Sequence, residues 1–71
     1  MVFDYSKLRG RIVEKYGSQT AFADAIDMSN STLNLKLNNK SEWSTTEIVE
    51  ACKLLDVELT DTYSYFFKEK L

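Results

Sequence analysis

Residues 29–41 read Ser-Asn-Ser-Thr-Leu-Asn-Leu-Lys-Leu-Asn-Asn-Lys-Ser and contain Lys36 and Lys40 but no acid. On a helix, Leu33 and Leu37 share one face, which leaves Asn30, Ser31, Asn34 and Leu35 on the other. Three of these offer uncharged hydrogen bonding. An Asn amide pairs with adenine in bidentate fashion, a Ser hydroxyl accepts or donates, and an exposed leucine suits a thymine methyl group. Asn30, Ser31, Asn34 and Leu35 are therefore the candidate base-reading residues. Ser29, Thr32, Lys36, Asn38, Asn39 and Lys40 are the candidate backbone contacts, since phosphate contacts set register and affinity while base contacts set sequence.

Other chemistry is poorly supplied. The chain has no histidine and a single cysteine, Cys52. The usual zinc sites cannot be assembled from one chain of this composition, and neither can a Ser-His-Asp or Cys-His arrangement. No glycine-rich phosphate loop is present, as Gly10 and Gly17 are the only glycines. Acidic pairs such as Glu47 with Glu50 read as solvated helix charge. Cys52 lies between apolar neighbours and reads as a small core residue. The expectation is a protein that is not an enzyme and needs no cofactor, metal or small-molecule ligand.

The polar run has to be held by the segment around it. Ser18 is placed as the N-cap of a helix from Gln19 to Ile26, and Ser29 as the cap of a second helix through Leu37. Phe22, Ala23 and Ile26 form the inner face of the first. Asp27-Met28 make the turn. Small Ala23 leaves room for the second helix to cross closely.

This stretch resembles the helix-turn-helix of small phage repressors and Cro proteins. The resemblance rests on Gln19, Ala23, Met28, the run Ser29-Asn30-Ser31-Thr32, and Leu33. Outside it, Leu37-Asn38-Asn39-Lys40, Trp43 ahead of a capped helix, and Tyr65-Phe66-Phe67 are similar to a small Cro-like subgroup of phage regulators. The resemblance implies a compact five-helix, lambda-repressor-like domain and a double-stranded DNA operator as partner. It also implies a phosphate-contacting role for Gln19. Two positions depart from the family pattern. Asp27 stands where the turn usually has Gly, and Asp is one of the few residues that tolerates positive φ. Lys36 stands where an apolar residue is usual; Leu37, one step later, is expected to fill the core through a slight rotation of the helix.

The rest of the chain reads as helices around this motif. Asp4 caps a first helix, Tyr5 to Tyr16, after a lead-in Met1-Val2-Phe3. Tyr5, Leu8, Ile12 and Tyr16 recur at helical spacing. Gly10 interrupts it and costs about 1 kcal/mol relative to Ala; a close approach by DNA or another helix is the reading that would justify it. Gly17 ends the helix in a left-handed cap. Trp43 packs on the core edge. Ser44 and Glu47 form a capping box for a fourth helix to Leu55, with Ile48, Ala51, Cys52 and Leu55 inward. Thr60 caps a short last helix, Asp61 to about Tyr65.

With 71 residues the chain has room for one domain, 1–71, with a helix-turn-helix over 18–38 and a possible dimer contact in 60–71. Tyr63, Phe66 and Phe67 are the candidate dimer interface, weak in solution and tighter on DNA. No run approaches membrane-spanning length, no secretory signal precedes the first helix, and the lone cysteine suits a reducing compartment, so a cytoplasmic protein is expected.

Net charge is −2, which on its own disfavours nucleic acid. Its distribution favours an oriented face, because residues 42–71 hold seven of the acids and residues 29–41 none. Two functions follow. The first is a sequence-specific, Cro-like transcriptional regulator reading the major groove with residues 29–37. The second is a protein-interaction module, antirepressor or antitoxin-like, for which the Asn/Ser surface is an ordinary solvated face without base reading and the Phe66-Phe67 end is the active patch.

Overall fold

Side-chain caps set the starts of three helices. Ser18 Oγ accepts from the Ala21 N–H, Ser29 Oγ from that of Thr32 and Ser44 Oγ from that of Glu47. Each satisfies a donor that the first helical turn leaves open. In the computed structural model, which describes residues 2–71, the protein is all-α. Helix α1 spans Ser6–Tyr16, α2 Gln19–Ala25, α3 Asn30–Leu37 and α4 Thr45–Leu55. The fifth helical segment is a 3-10 turn, Leu59–Asp61, that widens into a π turn, Tyr63–Phe67.

The helix ends share one device. Asp27, Asn39 and Asp56 all adopt the left-handed conformation, with φ of 60°, 62° and 53°. After α2, the Met28 N–H donates to Ala23 O and that of Asp27 to Asp24 O. After α3, Lys40 donates to Leu35 O and Asn39 to Lys36 O. These are paired Schellman bonds, normally built on Gly. Asp27 thus makes the expected turn, and two further helix ends use the same tolerance of short polar side chains for positive φ.

The expected inward residues meet in one core. Leu8, Ile12, Phe22, Ala23, Ile26, Leu33, Leu37, Ala51, Cys52 and Leu55 are buried, together with Tyr5 and Phe66, and Ile48 packs at the margin. Burial pushes the Cys52 thiol above its ordinary pKa, which keeps it protonated and unreactive. Tyr16 tilts against Phe22, with ring centres 5.4 Å apart. Trp43 meets Phe66 edge-on at 5.1 Å, on the core edge as expected.

Three local expectations are corrected. Helix α1 starts at Ser6, because Asp4 Oδ1 accepts from both the Ser6 N–H and its hydroxyl while Tyr5 turns its ring into the core. The last segment starts at Leu59 with no cap from Thr60; its wide turn brings Phe66 inward. A Cβ on Gly10 would meet nothing within 4 Å, so no helix approaches there.

The ends of the chain also do something the helical spacing gave no sign of. Phe3 pairs with Glu69 in a single antiparallel bridge. The Asp4 N–H donates to Lys68 O at 2.7 Å and that of Lys70 to Val2 O at 2.8 Å. The other edge of Phe3 is taken by a side chain: its N–H donates to Asn39 Oδ1 and Asn39 Nδ2 donates to its carbonyl, both at 2.9 Å. Met1, the first residue of the expected lead-in, lies outside the described residues.

Candidate interaction face on the third helix

Helix α3 packs on α2 through Leu33 and presents Asn30, Ser31, Asn34 and Leu35 to solvent. Leu35 is 48 % exposed. Gln19, at the start of α2, reaches across so that its Nε2 donates to Asn34 Oδ1 at 3.4 Å. The candidate base-reading residues are thus gathered on one surface, with Gln19 beside them. Ser29 and Thr32 stay at the helix start, where the Ser29 hydroxyl donates to Thr32 Oγ1 at 2.8 Å.

The candidate backbone contacts fare differently. Lys36 is only 6 % exposed, so it does not stand among the outward residues. Its Nζ donates to Glu42 O at 2.8 Å, lies 3.1 Å from Glu47 Oε1, and sits 6.0 Å from the centre of the Trp43 ring. The expected rotation of α3, with Leu37 replacing it in the core, does not occur; both side chains turn inward. The reason is chemical. A lysine stem is apolar enough to line the core edge, and the amine finds a carbonyl and a carboxylate at its tip. Glu47 Oε1 also accepts the Ser44 N–H of the capping box. Burial acts to raise the Glu47 carboxyl, but the Ser44 N–H and the Lys36 ammonium outweigh it and hold the group below its usual value.

Asn38 and Asn39 are also committed. Asn38 Nδ2 donates to Asn34 O and its Oδ1 accepts from Arg9 Nη2, while Asn39 holds Phe3. Lys40 remains exposed. Basic residues of α1 serve as caps that the spacing of charges did not signal. Arg9 Nη2 donates to Leu37 O at 2.9 Å, and Arg11 Nε donates to Leu55 O at 2.8 Å. Each places a cation at the negative end of a helix. The outer surface of α3 therefore carries no charge from Asn30 to Asn39: a neutral, amide-rich face around one leucine.

Of the candidate dimer residues, Tyr63 and Phe67 are 64 % and 42 % exposed, whereas Phe66 is 2 % exposed and belongs to the core. Phe67 stands edge-on to Phe3 at 6.0 Å. Among the described residues no group of His, Cys, Asp and Glu is placed to hold a metal ion, and no helix is long and apolar enough to cross a membrane.

Residues 1–69 match the family described as "Protein of unknown function (DUF739)". The chain belongs to this family. Among solved structures, it is similar to the solution structure of the modulator of repression of the temperate bacteriophage TP901-1 from Lactococcus lactis. The two are 45 % identical, with a TM-score of 0.84, over 94 % of this chain and 90 % of that one. No curated protein matches the chain. The similar structure has the same architecture and comes from a phage regulatory protein.

Proposed function

We propose that this protein is a phage regulator that acts by binding a repressor, with the outer face of α3 as the contact surface. The observation that carries this reading is the inward turn of Lys36. A surface that reads DNA depends on cations beside its base-contacting residues, and here Lys36, Asn38 and Asn39 are spent on internal bonds. What remains outward suits a protein partner: Leu35 as an apolar anchor, with Asn30, Ser31 and Asn34 as uncharged hydrogen-bonding groups around it. The name of the similar phage protein, a modulator of repression, supports a repressor as that partner. The protein works as a single cytoplasmic domain without catalysis or cofactor. Tyr63 and Phe67 remain available for a weak self-contact.

Operator binding in the manner of Cro is the second reading. It is favoured by the helix-turn-helix arrangement itself, which leaves Asn30, Ser31, Asn34 and Leu35 exposed together. Two measurements separate them: calorimetric titration against the purified phage repressor, and in vitro selection of bound duplexes. The partner reading expects binding to the repressor that Leu35→Asp weakens at least tenfold, and no enriched duplex. Enrichment of a palindrome whose binding is lost in Asn34→Ala, with no affinity for the repressor, would establish the operator reading instead.

A further inference from the structure

Five of the nine cations converge at one place away from the outer face of α3. Two adjoining clefts, of about 370 and 200 Å³, share Asp4 and Ser6 as common wall. Arg9, Lys40 and Lys70 line the larger and Lys7 and Lys68 the smaller. The terminal clasp brings them together: Lys68 and Lys70 flank the Phe3–Glu69 bridge, and Asn39 fastens Lys40 beside Phe3. Asp4 is the sole acid lining either cleft. Its carboxylate is bound to Ser6 and held below its usual pKa by those hydrogen bonds, with Lys68 and Lys70 adding to the effect.

The rest of the molecule has the opposite sign. Of the remaining cations, Arg11, Lys15 and Lys36 are ion-paired with Glu14, Asp56 and Glu47. Lys40, Lys68 and Lys70 form no ion pair among the described residues and are exposed. An acidic protein with one concentrated basic patch orients that patch toward polyanions.

We propose that this basic patch, built by the paired chain ends and the end of α3, binds the phosphate backbone of duplex DNA without reading sequence. The composition of the patch favours phosphate over a partner's carboxylates. Directed, bidentate recognition of a single carboxylate or phosphate relies on the fork of arginine. The single arginine here already donates to Leu37 O and Asn38 Oδ1. The three free lysines are flexible point charges, suited to a diffuse row of phosphates. The inference is independent of the repressor contact, whose residues Asn30, Ser31, Asn34 and Leu35 line neither cleft. It gives a modulator a hold on the DNA beside a bound repressor.

The test needs no repressor. Binding of the whole chain to a random-sequence labelled duplex is followed by fluorescence anisotropy over a salt series. The expected plot of log affinity against log salt has a slope of about −3 to −4, and each of Lys40→Gln, Lys68→Gln and Lys70→Gln lowers its magnitude by roughly one unit. The triple variant, checked for helicity by circular dichroism, loses the binding; Lys53→Gln, outside the patch, keeps it. The proposal is overturned by absence of duplex binding at low salt, by a triple variant that binds like the parent, or by loss in Asn34→Ala with retention in the triple variant. Tighter binding of an acidic peptide than of the duplex at matched charge would also overturn it, by assigning the patch to a protein.

Discussion

Replacing Lys36 by Ala and by Met separates the two things its side chain does. Alanine removes three methylenes from the core edge, worth about 0.8 kcal/mol each. It also removes charge-assisted bonds to Glu42 O and Glu47 Oε1, worth roughly 1.5–3 kcal/mol for a pair of this kind. The expected loss for Lys36→Ala is about 4–5 kcal/mol. That is a large part of the ~4–10 kcal/mol available to a domain of this size, and enough to lower Tm by about 15 °C or more. Lys36→Met keeps the apolar stem. It loses only the bonds to Glu42 O and Glu47 Oε1, so a loss of about 1.5–3 kcal/mol is expected. Urea and thermal melts followed by circular dichroism measure both. The pH dependence gives an independent check. The Glu47 pKa is depressed in the folded state, so its contribution is present above the ordinary carboxylate pKa and is lost as pH falls through the lowered folded value. Lys36→Met should therefore lose less stability than the parent on acidification below about pH 5. A Lys36→Ala variant as stable as the parent would refute the inward placement. A Met variant as damaged as the Ala variant would show that the charge, not the stem, dominates.

Substitutions at three further positions test other parts of the fold. Asn39→Gly keeps the left-handed turn but frees Phe3, so a loss of about 1–2 kcal/mol is expected. Asn39→Ala should cost about 1 kcal/mol more, and exchange of the Asp4 and Lys70 amides should accelerate in both; unchanged exchange would contradict the clasp. Phe66→Ala should cost about 3–5 kcal/mol in denaturant melts, and truncation after Thr62 should leave a chain without cooperative unfolding. Gly10→Ala should stabilise by about 0.5–1 kcal/mol, since the new methyl enters open space; a destabilised variant would mean that Gly10 is needed for another reason.

The pair of helices α2 and α3 is legible in the sequence because its signals are local. Ser18, Ser29 and Ser44 announce the helix starts, and Phe22, Ala23, Leu33 and Leu37 recur at the spacing of one buried face. Asp27 betrayed its positive φ by standing at a turn. The inward turn of Lys36 is not legible, because a lysine's type suggests an outward side chain and its acceptor, Glu42 O, is a backbone atom invisible to composition. Which of the C-terminal aromatics fills the core is not legible in the sequence, because the helical segment ends in a π turn through Phe67 that buries Phe66 and leaves Tyr63 exposed. The caps by Arg9 and Arg11 and the Asn39–Phe3 bonds join residues 28 to 44 positions apart, beyond the reach of any periodicity. Asn30, Ser31, Asn34 and Leu35 lie exposed together on α3, while Lys36 turns away from them.

The bridge between Phe3 and Glu69 closes a loop of nearly the whole chain, whereas the contact of α2 with α3 joins near neighbours. Closing so long a loop loses chain entropy before any bond repays it. Local helical contacts form first in proteins of this kind, so the clasp forms after the rate-limiting step of folding. Substitutions at Phe3 or Asn39 should accordingly quicken unfolding and leave the folding rate almost untouched. The ends of the chain then govern how long the native state lasts, while the helix-turn-helix governs how fast it is reached.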